Sequence, residues 1–262
     1  MSIEQAEELL EMFADGKEMD AINTSLSLHL VDLARELGRD ALVGRLLSHA
    51  ANTATTEEDR GWCQFEFLKH EGADKDSLIG LAVSAEKEKL SGLAAGILHH
   101  VALMSLGTEE AEIFANRSMR LREESDDREG MIYGHALIAH IAKENEDWES
   151  ARTHLRKRIE LIDKNDLEGL MEAYADLAHT HATTGELEQA QTLLIDSLNL
   201  ANELQDLSGI LVAKWGLADL AEISEQPDEA MVQLSDIMTT FMEADVAVPE
   251  SVKERISKLT ES

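Results

Sequence analysis

Three histidines and an aspartate recur along this chain at near-constant intervals. His100, His140, His179 and Asp219 stand 40, 39 and 40 residues apart. A row of imidazoles ending in a carboxylate can bind an acidic or hydroxyl-rich peptide, sense pH, or hold a metal. Metal fits worst. Helical ligands share a face only at three- or four-residue spacing. Neither His99–His100 nor His179–His181 has that spacing, and no HExxH motif is present. The competing reading is that exposed polar positions of a repeat simply vary.

The elements that must position these residues are helices. From Gly169 to Asp206 the chain reads GLMEAYADLAHTHATTGELEQAQTLLIDSLNLANELQD. Leu170, Tyr174, Leu177 and His181 step by four, three and four, which places them on one helical face. After Gly185 a second stripe runs through Leu187, Ala190, Leu194, Ser197, Leu198 and Ala201. Two amphipathic helices joined by so short a turn must pack antiparallel.

The phrase repeats. KLSG, DREG, DLEG and DLSG end at Gly92, Gly130, Gly169 and Gly209, separated by 38, 39 and 40 residues. In three of them an aspartate (Asp127, Asp166, Asp206) lies three residues before the glycine, which suits a helix N-cap. A second marker, Ala111, Ala151, Ala190 and Ala230, recurs at 40, 39 and 40. A lone hairpin has apolar surface on two sides and cannot hide both, so neighbours must stack. Thr108, Asn145 or Asp147, and Pro227 supply starts for the second helices.

Upstream the period loosens, with shorter hairpins turning near Gly38 and at Gly72. A leading amphipathic helix over 3–14 carries Ile3, Ala6, Leu10 and Phe13 on one side. Near the other end Val252, Ile256 and Leu259 form the stripe of a capping helix. The expected organisation is one domain over 1–262: irregular hairpins to 91, regular repeats over 92–244 and a cap at 249–262. That gives about six hairpins plus two end helices.

Bulk properties narrow the function classes. The chain has 53 acidic and 23 basic residues, net charge −30, which repels nucleic acid and anionic lipid. Either a basic partner is drawn in by this field, or the acidity is an adaptation to salt. The window 117–158 is neutral, with nine basic groups against nine acidic ones. The single cysteine, Cys63, the absence of a basic leader and the lack of any apolar run of about 20 residues point to a cytoplasmic, soluble chain.

With these markers in place the sequence resembles tetratricopeptide repeats. Tyr174, Leu177, Ala178, Gly185, Ala190, Leu194 and Leu198 follow the spacing over 171–204. Leu217, Ala218, Ala230 and Leu234 do so over 211–244, and Ile138, Ala139, Trp148, Ala151 and Leu155 over 132–165. The period is longer than the family's usual 34 or so, as in relatives found in motor light chains and bacterial peptide sensors. The resemblance implies an all-α, right-handed α-solenoid whose first helices line a concave groove that binds peptides or protein segments. It implies no chemistry and no cofactor.

In that register His100, His140, His179 and Asp219 face the groove. One turn away lie Gly96, Ala136, Ala175 and Trp215, an open floor closed by an indole and flanked by Tyr133 and Glu172. Core filling is the alternative role for Tyr133 and Trp215. Arg152, Arg156 and Arg158, with Arg117 and Arg120, form either a docking patch or partners for nearby carboxylates, and pairing is favoured. Cys63, in GWCQFEF beside Glu66, reads as buried rather than reactive. There is no phosphate loop, nucleophile elbow or paired carboxylate at a cleft, so an enzyme is not expected. The expected function is protein–protein interaction through the groove. The alternatives are a self-assembling homo-oligomeric scaffold and a peptide or ligand sensor.

Overall fold

The computed structural model describes residues 3–15 and 19–261. Within them the chain is all-α, with fourteen helices and no strand. They are α1 Ile3–Ala14, α2 Thr24–Glu36, α3 Asp40–Thr53, α4 Glu57–His70, α5 Lys75–Lys87, α6 Ser91–Met104 and α7 Glu109–Glu124. The rest are α8 Arg128–Glu144, α9 Trp148–Leu161, α10 Leu167–Thr183, α11 Leu187–Leu204, α12 Leu207–Ile223, α13 Pro227–Glu243 and α14 Glu250–Glu261. No helix among the described residues is long and apolar enough to cross a membrane.

The chain divides into two compact units, Met1–Asp127 and Arg128–Ser262, so α6 and α7 group with the shorter hairpins before them. The two units keep different periods. The leading helices of the first unit's hairpins, α2, α4 and α6, begin 33 and 34 residues apart, at Thr24, Glu57 and Ser91. In the second unit α8, α10 and α12 begin 39 and 40 apart, at Arg128, Leu167 and Leu207.

The Asp-x-x-Gly phrases do more than mark a repeat. Asp166 accepts the Gly169 N–H at 2.9 Å, and Asp206 accepts those of Ser208 and Gly209, both at 3.0 Å. A Cβ on Gly169 would sit 2.4 Å from the Asp166 carboxylate. One on Gly209 would meet both Asp206 at 2.7 Å and the sulfur of Met171 at 2.5 Å. The glycine is what lets the cap close and, at Gly209, lets α12 lie against α10. Asp147 caps α9 through the Ser150 N–H, and Pro227 opens α13 where its missing N–H leaves nothing unpaired. Thr108 departs from expectation. It precedes α7, but its hydroxyl donates to the Ser105 carbonyl at 2.7 Å and makes no cap bond, leaving Glu109 and Glu110 to meet the positive helix end.

Alanines at the second marker are buried: Ala111 is 1% exposed, and Ala151, Ala190 and Ala230 are 0%. Buried serines add polar ties inside hairpins. Ser118 donates to the Ala95 carbonyl and Ser197 to that of Met171.

In the first unit one core gathers Leu10, Phe13, Leu30, Val31, Leu46 and Leu47, and another gathers Phe65, Leu78, Leu93, Ile97 and Leu98. Ala6 is buried with Leu10 and Phe13, while the Ile3 side chain lies outside the described residues. In the second unit Ala139, Leu155 and Leu177 pack together, as do Ala178, Leu194 and Leu217. Leu177 and Leu217 thus each join one hairpin to the next. Ala218, Leu234 and Ile237 are covered by Val252 of α14, with Ile256 and Leu259 beside it.

Helix ends close with left-handed residues. Gly38, Gly72, Gly107 and Gly185 adopt positive φ, and so do Lys89, Asp126, Glu146, Gln205, Glu225 and Asp245, which carry a side chain there.

If close approach at the alanines sets the stack, Ala190→Leu will destabilise the chain by about 1–3 kcal/mol through overpacking. Gln191→Leu, on the neighbouring exposed position, will change stability by less than about 0.5 kcal/mol. Urea unfolding of the two variants checks the contrast.

Candidate functional site

The second unit holds a pocket of about 490 Å³ between α10 and α12. Ala175, His179 and Ala182 of α10, three and four apart, form one wall. Leu211, Val212, Trp215, Asp219 and Ile223 of α12 form the other. Val212 is 55% exposed and Ile223 60%, so apolar surface faces solvent here. Trp215 is half-buried, its indole packed in the cluster that includes Leu211 and Ile256.

Three residues singled out in the sequence, His179, Trp215 and Asp219, line this pocket together. Tyr133, His140 and Glu172 are exposed in the same unit but do not line it. Glu172 turns to Arg158, at 3.2 Å, and His140 approaches Glu144 at 3.6 Å. His100 belongs to the first unit, half-buried and edge-on to the Phe65 ring at 5.6 Å. Nor is Gly96 an open floor. The Trp62 ring lies where its side chain would be, with Cη2 2.5 Å from a Cβ built there.

Val212, Ile223 and Ala182 were missed, although a signal for Val212 existed. Tyr133 and Glu172 are 39 apart, and another 40 reaches Val212.

Electrostatically the pocket is a pairing site for its own side chains as much as an open acid. Asp219 accepts from the Arg255 guanidinium at 2.7 Å, and Glu222 accepts from the same group at 2.9 Å. Asp176, on the α10 rim, accepts from Arg158 at 3.0 Å and pairs with Lys143 at 3.5 Å. The arginine cluster likewise pairs internally. Arg152 holds Glu149 at 2.7 Å and also binds Glu186, while Arg117 holds Glu86 at 2.7 Å.

The two histidines of the opening repeat part company. His179 is exposed in the pocket wall, whereas His181 is buried and bonded to Glu186 at 2.7 Å, pinning the turn into α11. Two further histidines sit against the packing, His135 buried and His99 partly so. His135 of α8 shares a hydrogen bond with His154 of α9, Nδ1 to Nδ1 at 2.9 Å. Burial, and then His154, push its pKa down to about 4. His99 stands at the register of Ala139, Ala178 and Ala218. Its Nδ1 is buried without a hydrogen-bond partner, and burial followed by Arg122 pushes its pKa to about 4. Burial, then Lys69, lowers that of His100 as well. Cys63 is buried, and burial, then Asp59 and Glu66, raise its thiol pKa, which suits a packing role. Among the described residues no group of three or more His, Cys, Asp or Glu side chains is placed to hold a metal ion.

No protein-family model and no curated protein matches the chain. Solved structures do. A signal transduction ATPase with numerous domains and a tetratricopeptide repeat sensor, from Pyrococcus horikoshii, superposes with a TM-score of 0.63 at 18% identity. That match covers 84% of this chain, which spans only 35% of the other. The C-terminal part of a tetratricopeptide repeat-containing protein from Cytophaga hutchinsonii gives 0.58 at 13% identity, covering 97% and 93% of the two chains. The apo form of RapI gives 0.61 at 12% identity, covering 96% and 73%. The chain therefore has the tetratricopeptide-repeat type of helical solenoid fold.

The depressed histidines set a pH dependence. An unfolded chain takes up these protons near pH 6.5, the folded chain only near 4. Between those values the unfolded state binds more protons, so stability is full above about 6.5 and falls as pH drops toward 4. His99→Leu will reduce the loss of Tm between about pH 7 and pH 5, as read by circular dichroism melts.

Proposed function

We propose that this chain is a non-catalytic protein-interaction module that holds a peptide or protein segment against its first helices. The observation that carries the reading is the apolar, solvent-open pocket between α10 and α12, with Trp215 in its wall and exposed Val212 and Ile223 at its mouth. An aromatic beside unburied aliphatic groups is the composition of a binding hot spot. His179 and Asp219 add polar contacts at the same place. Over 159–249 the chain has nineteen acidic residues against Lys164 and Lys214, which favours a basic segment and steers it in at low salt. His140, Tyr133 and Glu172, on the same helical series, extend the surface along α8 and α10, and His100 provides the corresponding contact in the first unit. Function in the cytoplasm fits this reading.

A sensor role is the second reading. It is favoured by the likeness to the Pyrococcus horikoshii protein, whose tetratricopeptide part is described as a sensor. In that role an apolar peptide or small ligand fills the pocket and draws α10 and α12 together.

Peptides selected from a random library displayed on phage, using the full chain as target, test the assignment. The selected peptides should be rich in basic and large apolar residues. They should lose at least about tenfold in affinity, by calorimetry, against Val212→Asp combined with Ile223→Asp. Both positions are exposed, so the fold is expected to survive. Equal affinity for that variant would remove the pocket from the proposal.

A further inference from the structure

The first unit carries its own pocket, of about 400 Å³, between the faces of α2 and α4. Its chemistry is the opposite of the second unit's. Asp32, Glu58, Asp59 and Glu66 line it together with His29 and the Trp62 indole, and Leu28 adds an aliphatic wall. No lysine or arginine is among the described residues that line it.

The indole is held in place from behind. Gly96 of α6 has no side chain, and the Trp62 ring takes that space. Phe65 meets the ring at a tilt, with 6.0 Å between centroids. One residue earlier, a Cβ on Gly61 would lie 2.2 Å from Leu93, so α4 is drawn tightly onto α6 at this level. A fixed, half-buried aromatic therefore faces a rim of carboxylates.

Those carboxylates are not equivalent. Glu66 is nearly buried and bound by Arg35 and Lys69, and Asp32 is bound by Arg35 at 3.1 Å. Asp59 closes the capping box of α4. Bonds from Thr56, then Thr55, hold its carboxyl below the usual range, so it stays charged. Glu58 is exposed and has no ion-pair partner among the described residues. Counting Arg35 and Lys69 against the four acids still leaves two net negative charges beside the indole.

We propose that this pocket binds an arginine side chain of a peptide partner, its guanidinium lying on the Trp62 ring and pairing with Glu58. A planar cation gains both from the face of an aromatic ring and from a carboxylate beside it. The aliphatic stem of arginine packs on Leu28 and the ring edge. The charge balance of the rim excludes an acidic occupant, and the four carboxylates disfavour a purely apolar one. This site is independent of the second unit's pocket, and its test does not depend on that assignment.

The full chain, labelled with nitrogen-15, gives one indole N–H signal for each of Trp62, Trp148 and Trp215, assigned by single Trp→Phe variants. The probe is the blocked tripeptide Ala-Arg-Ala, compared with its leucine and glutamate counterparts. The Trp62 signal should shift saturably with the arginine peptide and far less with the other two, while the Trp148 signal stays put. Glu58→Gln should weaken the response by up to about fivefold, the scale of an exposed ion pair, and about 0.5 M salt should weaken it further. Three results would overturn the proposal. They are a Trp62 signal that does not move, an equal response to the leucine peptide, and affinity unchanged in Glu58→Gln.

Discussion

Within each unit, helices approach one another closely at positions where the side chain is a methyl group or is missing. Ala139, Ala178 and Ala218 are wholly buried on the leading helices, as are Ala151, Ala190 and Ala230 on the following ones. Larger residues such as Leu155, Leu194 and Leu234 interlock beside these contacts, and that is where the apolar area is removed from water. The arrangement is unforgiving at the contact itself. Where His99 takes the small residue's place in α6, the ring is partly buried and its Nδ1 is left without a hydrogen-bond partner. Gly61 and Gly96 take the same logic further, since removing the side chain altogether admits Leu93 and the Trp62 indole.

This constraint explains what could be read from the residues alone. Alanines at the helix contacts, and caps that pair an aspartate with a glycine, leave letters that recur at the structural period. The hairpins from Gly92 onward were legible for that reason. The first unit was harder because its hairpins before α6 lack these letters. Lys89 stands where the other phrases have aspartate, and the period there is shorter. The candidate site was legible in part. His179, Trp215 and Asp219 fall together because they share a register on neighbouring first helices. Pairing of the arginines was expected, but not which carboxylates they meet, because long side chains choose partners by reach. Glu172 meets Arg158 and Asp219 meets Arg255 through distances that no spacing rule encodes. Trp62 both packs, against Gly96 and Phe65, and lines the pocket between α2 and α4.

The two units also divide their chemistry. Between α10 and α12 the lining is aliphatic and aromatic, with its acids tied up by Arg255, Arg158 and Lys143. Between α2 and α4 it is aromatic and acidic. The same architectural gap, the seam between consecutive leading helices, thus receives different side chains in each half.

Four of the six side-chain-bearing residues at left-handed helix ends are acidic: Asp126, Glu146, Glu225 and Asp245. Each puts a negative charge beside the negative pole of the helix it follows, in a conformation that glycine adopts more easily. Dissolved ions screen such repulsion over roughly 10 Å at moderate strength. The corners within the second unit, at Glu146, Glu225 and Asp245, thus gain more from brine than from dilute buffer, and electrolyte becomes a tuning knob for how firmly those helix ends are closed.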